Sequence, residues 1–240
     1  MPAAPLSSGA ARAVATGYGH TPSARRRRTV AVSLLAVTAV AYNDWLLQFV
    51  LLTGLSQRDS YVSELFAADQ PHRVLFSAIE LTCALLVLTA AMLARSLYGQ
   101  PLARAGWAAL AGVGVFSVAD VLLPMRCAPS IEPGCEVASL RHTLTSGLVH
   151  FALFASMALV TAAARREALS LTLVRRWGPW LLPVSMAAAI ATVGPFFGHP
   201  GGQGLAQRAH LATAGFWFVL LAAELRRRGA RPGRGGAPSP

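Results

Sequence analysis

The chain contains no lysine; its 21 basic residues are all arginine. Charged residues are also scarce, at 13% of 240, where a soluble domain carries about 25%. With 54% hydrophobic residues, that deficit excludes an ordinary soluble domain and points to the membrane. Only three cysteines are present, enough for one disulfide with one left over. They lack the Cys-x₂-Cys spacing of a zinc site. There is no His-Glu-x-x-His, and no Gly-x-Ser-x-Gly elbow supports a serine hydrolase. No internal repeat stands out. No secretory leader is read at the start either. Residues 1–24 are rich in Ala, Gly, Ser and Pro, and the apolar stretch after Arg25–Arg28 is too long for a signal h-region.

What is present is a series of apolar runs. Six are long enough to cross about 30 Å of hydrocarbon at about 20 residues each. They are Val30–Leu52, Val74–Leu97, Ala105–Met125, Leu140–Ala163, Trp180–Phe197 and Leu205–Leu225. The expected fold is all-α: six transmembrane helices in one bundle over residues 29–226. Disordered cytoplasmic tails are expected over 1–28 and 227–240. The arginines divide sixteen to five between alternate connections. That asymmetry places both termini in the cytoplasm. It also accounts for the net charge of +11 as membrane flanks, with no nucleic-acid partner. Trp107, Trp177 and Trp180 suit interfacial anchors, while Trp217 lies deeper.

Ionisable residues inside a membrane are costly, so each is a site hypothesis. With 1.5 Å of rise per residue, Asp120 falls about 8 Å below the outer surface and His150 about 12 Å deeper than His142. Glu80 falls at a depth comparable to His150. Asn43 and Asp44 sit just outside the middle of the first run. Arg208 and His210 open the last one, after His199 in a Gly-rich loop. The other half of the runs is nearly free of such groups. A polar pocket opening to the outside is the expectation, with Asn43, Ser146 and Arg208 in its lining. Cys127 and Cys135 share the outer loop, where disulfides persist; Cys83 falls inside an apolar run.

Three chemistries fit this set of residues. Imidazoles and carboxylates can hold zinc and polarise a bound water. They can relay protons. Or Asp120 can pair with Arg126 or Arg141 and tie helices together. The eight-residue step from His142 to His150 leaves their side chains about 80° apart around the helix. One then faces the cavity while the other supports it.

Four stretches carry a family likeness: Tyr61-Val-Ser-Glu-Leu with Ala68-Asp-Gln-Pro; Val118-Ala-Asp with Pro124; Cys127-Ala-Pro-Ser with Cys135, Arg141-His142 and His150; and Gly204-Leu-Ala-Gln-Arg208 with Trp217 and Ala223-Glu-Leu. In their order and spacing the chain resembles the bacterial membrane family called domain of unknown function 998, over about residues 35 to 226. The resemblance implies six membrane helices and an extracytoplasmic loop holding the cysteine pair. A looser likeness is to the alkaline-ceramidase-type membrane hydrolases, which place a Ser, an Asp and three His around zinc. Asp120, His142, His150 and His210 are the positions that answer. The His-x-x-x-His pair of that superfamily is absent.

The reading is of a multi-pass protein of the bacterial cytoplasmic membrane. It acts as a metal-dependent hydrolase or transferase on a lipid or apolar small molecule. Metal ligands would be His142, His150, Asp120 and His210, with zinc as the candidate ion. Glu80 or Asp44 would accept protons beside Asp120. The alternative is a small transporter, a lipid-binding accessory or a subunit of a membrane complex.

Overall fold

A computed structural model describes residues 21–136, 139–167 and 169–230. Six long helices make up the fold: α1 (Pro22–Ala41), α2 (Arg73–Arg95), α3 (Pro101–Leu122), α4 (Leu140–Arg166), α5 (Thr172–Ile190) and α6 (Gln203–Ala230). Each packs on the next in chain order, and α6 returns to α1, so the bundle closes on itself. This is an all-α polytopic membrane protein. Five stretches are long and apolar enough to cross a bilayer, namely those containing α1 to α5. The 28-residue α6 is as long, but carries Arg208, His210 and Glu224 buried within the bundle.

Local chemistry sets the helix ends. At α1, the Thr21 hydroxyl accepts from Ala24 N–H at 3.2 Å and Pro22 opens the first turn, the pairing that helix starts favour. Arg25–Arg28 therefore belong to a helix; the rest of the expected N-terminal tail, 1–20, lies outside the described residues. At the other end α6 runs to Ala230, and 231–240 lie outside them too. The first run is not one α-helix to Leu52. Asn43 Nδ2 donates to Ala39 O at 3.1 Å, and the chain continues as a 3₁₀ turn, Asp44–Phe49. An amide that competes for helix carbonyls ends a helix in this way. The fifth helix starts at Thr172, eight residues before the apolar run, and passes into a 3₁₀ turn, Ala191–Phe197.

Small residues let the helices close up. A Cβ on Gly114 of α3 would lie 2.6 Å from Ala84 O on α2. The arginine-rich half holds the larger apolar core, with Trp107, Met157, Trp217 and Phe218 all within 1% of full burial. Trp107 is thus a core residue and not an interfacial anchor, whereas Trp177 and Trp180 are exposed. Trp217 Nε1 donates to Ser156 Oγ at 3.3 Å. Two carboxylates of this end cap helix starts. Glu167 accepts from Leu102 N–H at 2.7 Å and Ala103 N–H at 3.1 Å, and Glu224 accepts from Leu173 and Val174 N–H. Negative charge at a helix N-terminus is stabilising.

The opposite end is roofed by connections. Cys127 and Cys135 form a disulfide, and Cys83 is a buried free thiol. The 3₁₀ turn Val62–Phe66 lies over the bundle. Tyr61 OH donates to Thr192 O at 2.7 Å, and Ala68 N–H donates to Met125 O at 2.8 Å.

Candidate functional site

Beneath this roof lies a cavity of about 370 Å³, to which all six helices or their extensions contribute. Its floor is polar. Asp44, Glu80, Asp120, His142, Ser146 and His150 all line it. Its wall along α5 and the following 3₁₀ turn is apolar: Met186, Ile190, Val193 and Phe196. Those wall residues are exposed, Ile190 to 65% and Phe196 to 44%. Across from them, Gly147 of α4 lines the cavity, and a Cβ there would meet nothing within 4 Å. The cavity is thus bordered by α4 on one side and by the apolar residues of α5 and its 3₁₀ extension on another.

Asp120 and His142 form the centre of the floor. Asp120 comes from the last turn of α3 and His142 from the first turn of α4. Asp120 Oδ1 lies 3.1 Å from His142 Nδ1, and the two side chains are 13% and 9% exposed. The approach is off the ring N–H direction, so the two groups are in close contact without a directed hydrogen bond. Thr145 OH donates to the same carboxylate oxygen. The partner of Asp120 is thus an imidazole, not Arg126 or Arg141, both of which are exposed. Phe66 of the roof meets the His142 ring edge-on at 6.3 Å. Glu80 lies within electrostatic reach of both Asp44 and Asp120.

His150 and His210 make a second unit. Their rings stack with centroids 4.5 Å apart and planes 17° from parallel. His150 Nδ1 is 2.6 Å from Ser146 O, and His210 Nδ1 is 3.1 Å from Ser185 O. Carbonyl oxygens only accept, so His150 Nδ1 carries the proton in its contact with Ser146 O, while His210 Nδ1 also meets the Ser185 hydroxyl at 3.0 Å. His150 lines the cavity, and His210 stands behind it. The Ser146 hydroxyl donates to His142 O at 2.8 Å.

Two residues expected in the lining are engaged elsewhere. Asn43 accepts from Trp45 Nε1 at 3.2 Å and donates to Ala39 O. Arg208 donates to Ser60 O at 3.0 Å, to Gly204 O at 2.9 Å and to Gln48 Oε1. Neither is among the cavity-lining residues. The zinc set implied by the ceramidase likeness does not converge either. His142 is turned to Asp120, the other two histidines face each other, and no group of three His, Cys, Asp or Glu able to hold a metal occurs among the described residues. These donors do not fit a structural or catalytic zinc, which takes at least three protein ligands.

A buried group that the sequence reading passed over is Glu64. It is fully buried in the roof. It accepts from Tyr61 N–H at 2.8 Å and from Ser130 N–H at 3.1 Å, and Ser130 OH donates to it as well. Burial pushes its carboxyl above the usual range, against the pull of those donors and of Arg208. It ties the loop before α2 to the disulfide loop. Tyr61-x-x-Glu64 gave a local signal for this hydrogen bond, but its reach to Ser130 is non-local.

With the geometry in place, the comparisons narrow the identity. A family model described as Protein of unknown function (DUF998) matches residues 30–224. The chain belongs to the DUF998 family. No curated protein and no solved structure matches it. The DUF998 region begins inside α1, ends inside α6 and contains every residue that lines the cavity. The cavity is therefore part of the DUF998 domain itself and not of an addition to it.

Proposed function

We propose that this DUF998 protein takes a lipid or an apolar small molecule into the cavity and performs hydrolysis or group transfer on it. The observation that carries the reading is the Asp120–His142 pair on the floor of a cavity with an apolar wall. With Nδ1 turned to Asp120, His142 Nε2 is left to take a proton from a water or hydroxyl in the cavity. Asp120 then stabilises the imidazolium that forms, and Thr145 holds the carboxylate in place. The Ser146 hydroxyl is committed to its own helix, so the nucleophile in this reading is water or a hydroxyl of the second substrate. Glu80 and Asp44 are the further proton acceptors within the same space. The apolar wall along α5 would hold the hydrocarbon part of such a molecule.

A second reading is a lipid-binding accessory protein without chemistry. It is favoured by the Ser146 hydroxyl of the cavity floor being committed to its own helix. We further place both termini in the cytoplasm and the cavity toward the outside, on the sixteen-to-five arginine split. Reporter fusions after α3 and α5 should read as extracytoplasmic; cytoplasmic signals there would reverse the orientation.

The deciding experiment uses the purified protein in lipid nanodiscs with a panel of acyl-ester and phosphodiester probes. Product release that His142→Ala abolishes supports the enzymatic reading. No release from any probe, with co-purified lipid equal in both proteins, would leave the accessory reading in its place.

A further inference from the structure

A separate groove of about 330 Å³ lies at the arginine-rich end, between the first turns of α1 and the last turn of α6. Arg25, Arg28 and Arg226 line it, with Thr29, Ser33 and Val32. It shares no residue with the roofed cavity. We infer that this groove binds an anionic phospholipid, with the phosphate on the arginines.

Three observations converge on that ligand. The first is the order of residues along α1. Arg25, Thr29, Ser33, Val37 and Val40 recur at steps of three and four, so they form one stripe down the helix. All five are exposed. The stripe passes from charge to hydroxyl to hydrocarbon. Arg25 to Ser33 spans about 12 Å of helix axis. That sequence of chemistries matches a phospholipid met headgroup first: phosphate, ester oxygens, acyl chain. A free phosphate would use only the first layer.

The second is the charge balance of this end. Arg25 and Arg226 form no ion pair among the described residues. The acidic side chains nearest in the fold, Glu167 and Glu224, are already bound to the backbone N–H groups that open α3 and α5. They face helix starts and not the groove. The third is that the groove joins the two helices that close the bundle. A Cβ on Gly229 would lie 3.0 Å from Arg28 Nη1, so the last turn of α6 lies against the Arg28 side chain. Basic pockets between membrane helices are the physical setting in which lipid phosphates are held.

The test compares the detergent-purified protein with added phosphatidylglycerol, phosphatidylcholine or inorganic phosphate, read by thermal unfolding. Phosphatidylglycerol should raise Tm clearly more than phosphatidylcholine, and inorganic phosphate should not reproduce the rise. The R25Q/R226Q double variant should lose the difference while keeping the lipid-free Tm, since both side chains are exposed. A control of equal charge change, R104Q/R175Q on α3 and α5, should keep it. Equal shifts with the two lipids would overturn the inference, as would equal loss in both double variants, which would show general electrostatics. A rise produced by inorganic phosphate alone would overturn the lipid assignment. None of these outcomes depends on Asp120 or His142.

Discussion

The His150 and His210 rings lie face to face, 4.5 Å between centroids, and each is held from behind by a backbone carbonyl. Phe154 meets the His210 ring edge-on at 5.6 Å, so His210 is enclosed by aromatic contacts and is 2% exposed. His210→Ala removes a packed ring and should cost about 2–3 kcal/mol through the cavity left behind. His210→Phe keeps the ring and should cost clearly less, because Ser185 retains the hydroxyl of Thr213 at 2.8 Å. Thermal unfolding in one detergent separates the two. Equal losses would show that the stack contributes little.

Asp120→Asn tests the other pair. The Asn oxygen can still accept from Thr145, so folding and Tm should hold. The negative charge beside His142 is gone, and turnover should fall by roughly 10²–10⁴-fold, the range of general-base catalysis and its orienting carboxylate. Thr145→Val should do the reverse. It removes a donor from a buried carboxylate, at about 1–3 kcal/mol, with a smaller loss of rate. Rate and Tm measured on the same preparations check both; a large Tm loss in Asp120→Asn with unchanged rate would make Asp120 structural.

Two glycines should respond in opposite ways. A Cβ on Gly204 would lie 2.5 Å from Ser60 O and 2.8 Å from Arg58 O and Gln57 O. These are backbone atoms and cannot swing aside, so Gly204→Ala should detach the roof from α6 and cost about 1–3 kcal/mol. Gly147 meets open space in the middle of α4. Gly147→Ala should gain up to about 1 kcal/mol of helix stability, while its methyl takes space from the cavity and weakens binding of the larger ligands. Unfolding curves and ligand titration of both variants provide the check.

Much of the fold was legible because membrane helices announce themselves as long apolar runs. The errors fell where a run and a helix part company. α1 and α5 start earlier than their runs because arginine and proline are tolerated in a first turn at the membrane edge. α1 stops earlier than its run because Asn43 takes the Ala39 carbonyl, which hydropathy does not register. Depth counting spread Asp44, Glu80, Asp120, His142 and His150 over one half of the bundle, and all five line one cavity. It gave no azimuth, so it did not separate Asn43 and Arg208, which turn to other partners. The Asp120–His142 pairing spans two helices and a loop, and the nearby arginines were the simpler guess. Glu64 went unnoticed because its importance comes from Ser130, brought close by tertiary folding alone.

The disulfide gives the fourth prediction. Alkylation of the denatured, unreduced protein should modify Cys83 and leave Cys127 and Cys135 protected, as read by intact mass. Three modified thiols would show that the bridge does not form in the cell. Where it forms, reduction should lower stability by up to about 2–3 kcal/mol, as for other short loops. The loss should begin in the roof, since Ser130 lies within the bridged loop and donates to Glu64.

The closure of α6 onto α1 has a consequence for synthesis. Of the six described helices, the one made first has its second neighbour in the one made last. Until α6 is made, α1 packs on α2 alone, and Asn43 waits for Gly215, whose missing Cβ would otherwise lie 2.6 Å from Asn43 Nδ2. The pairs α2–α3 and α3–α4 can form as they emerge, but the ring cannot. A nascent chain halted before Gln203 would be an open arc of five helices. Its first helix, with Arg25 to Arg28 at the start, would be the one exposed to quality control.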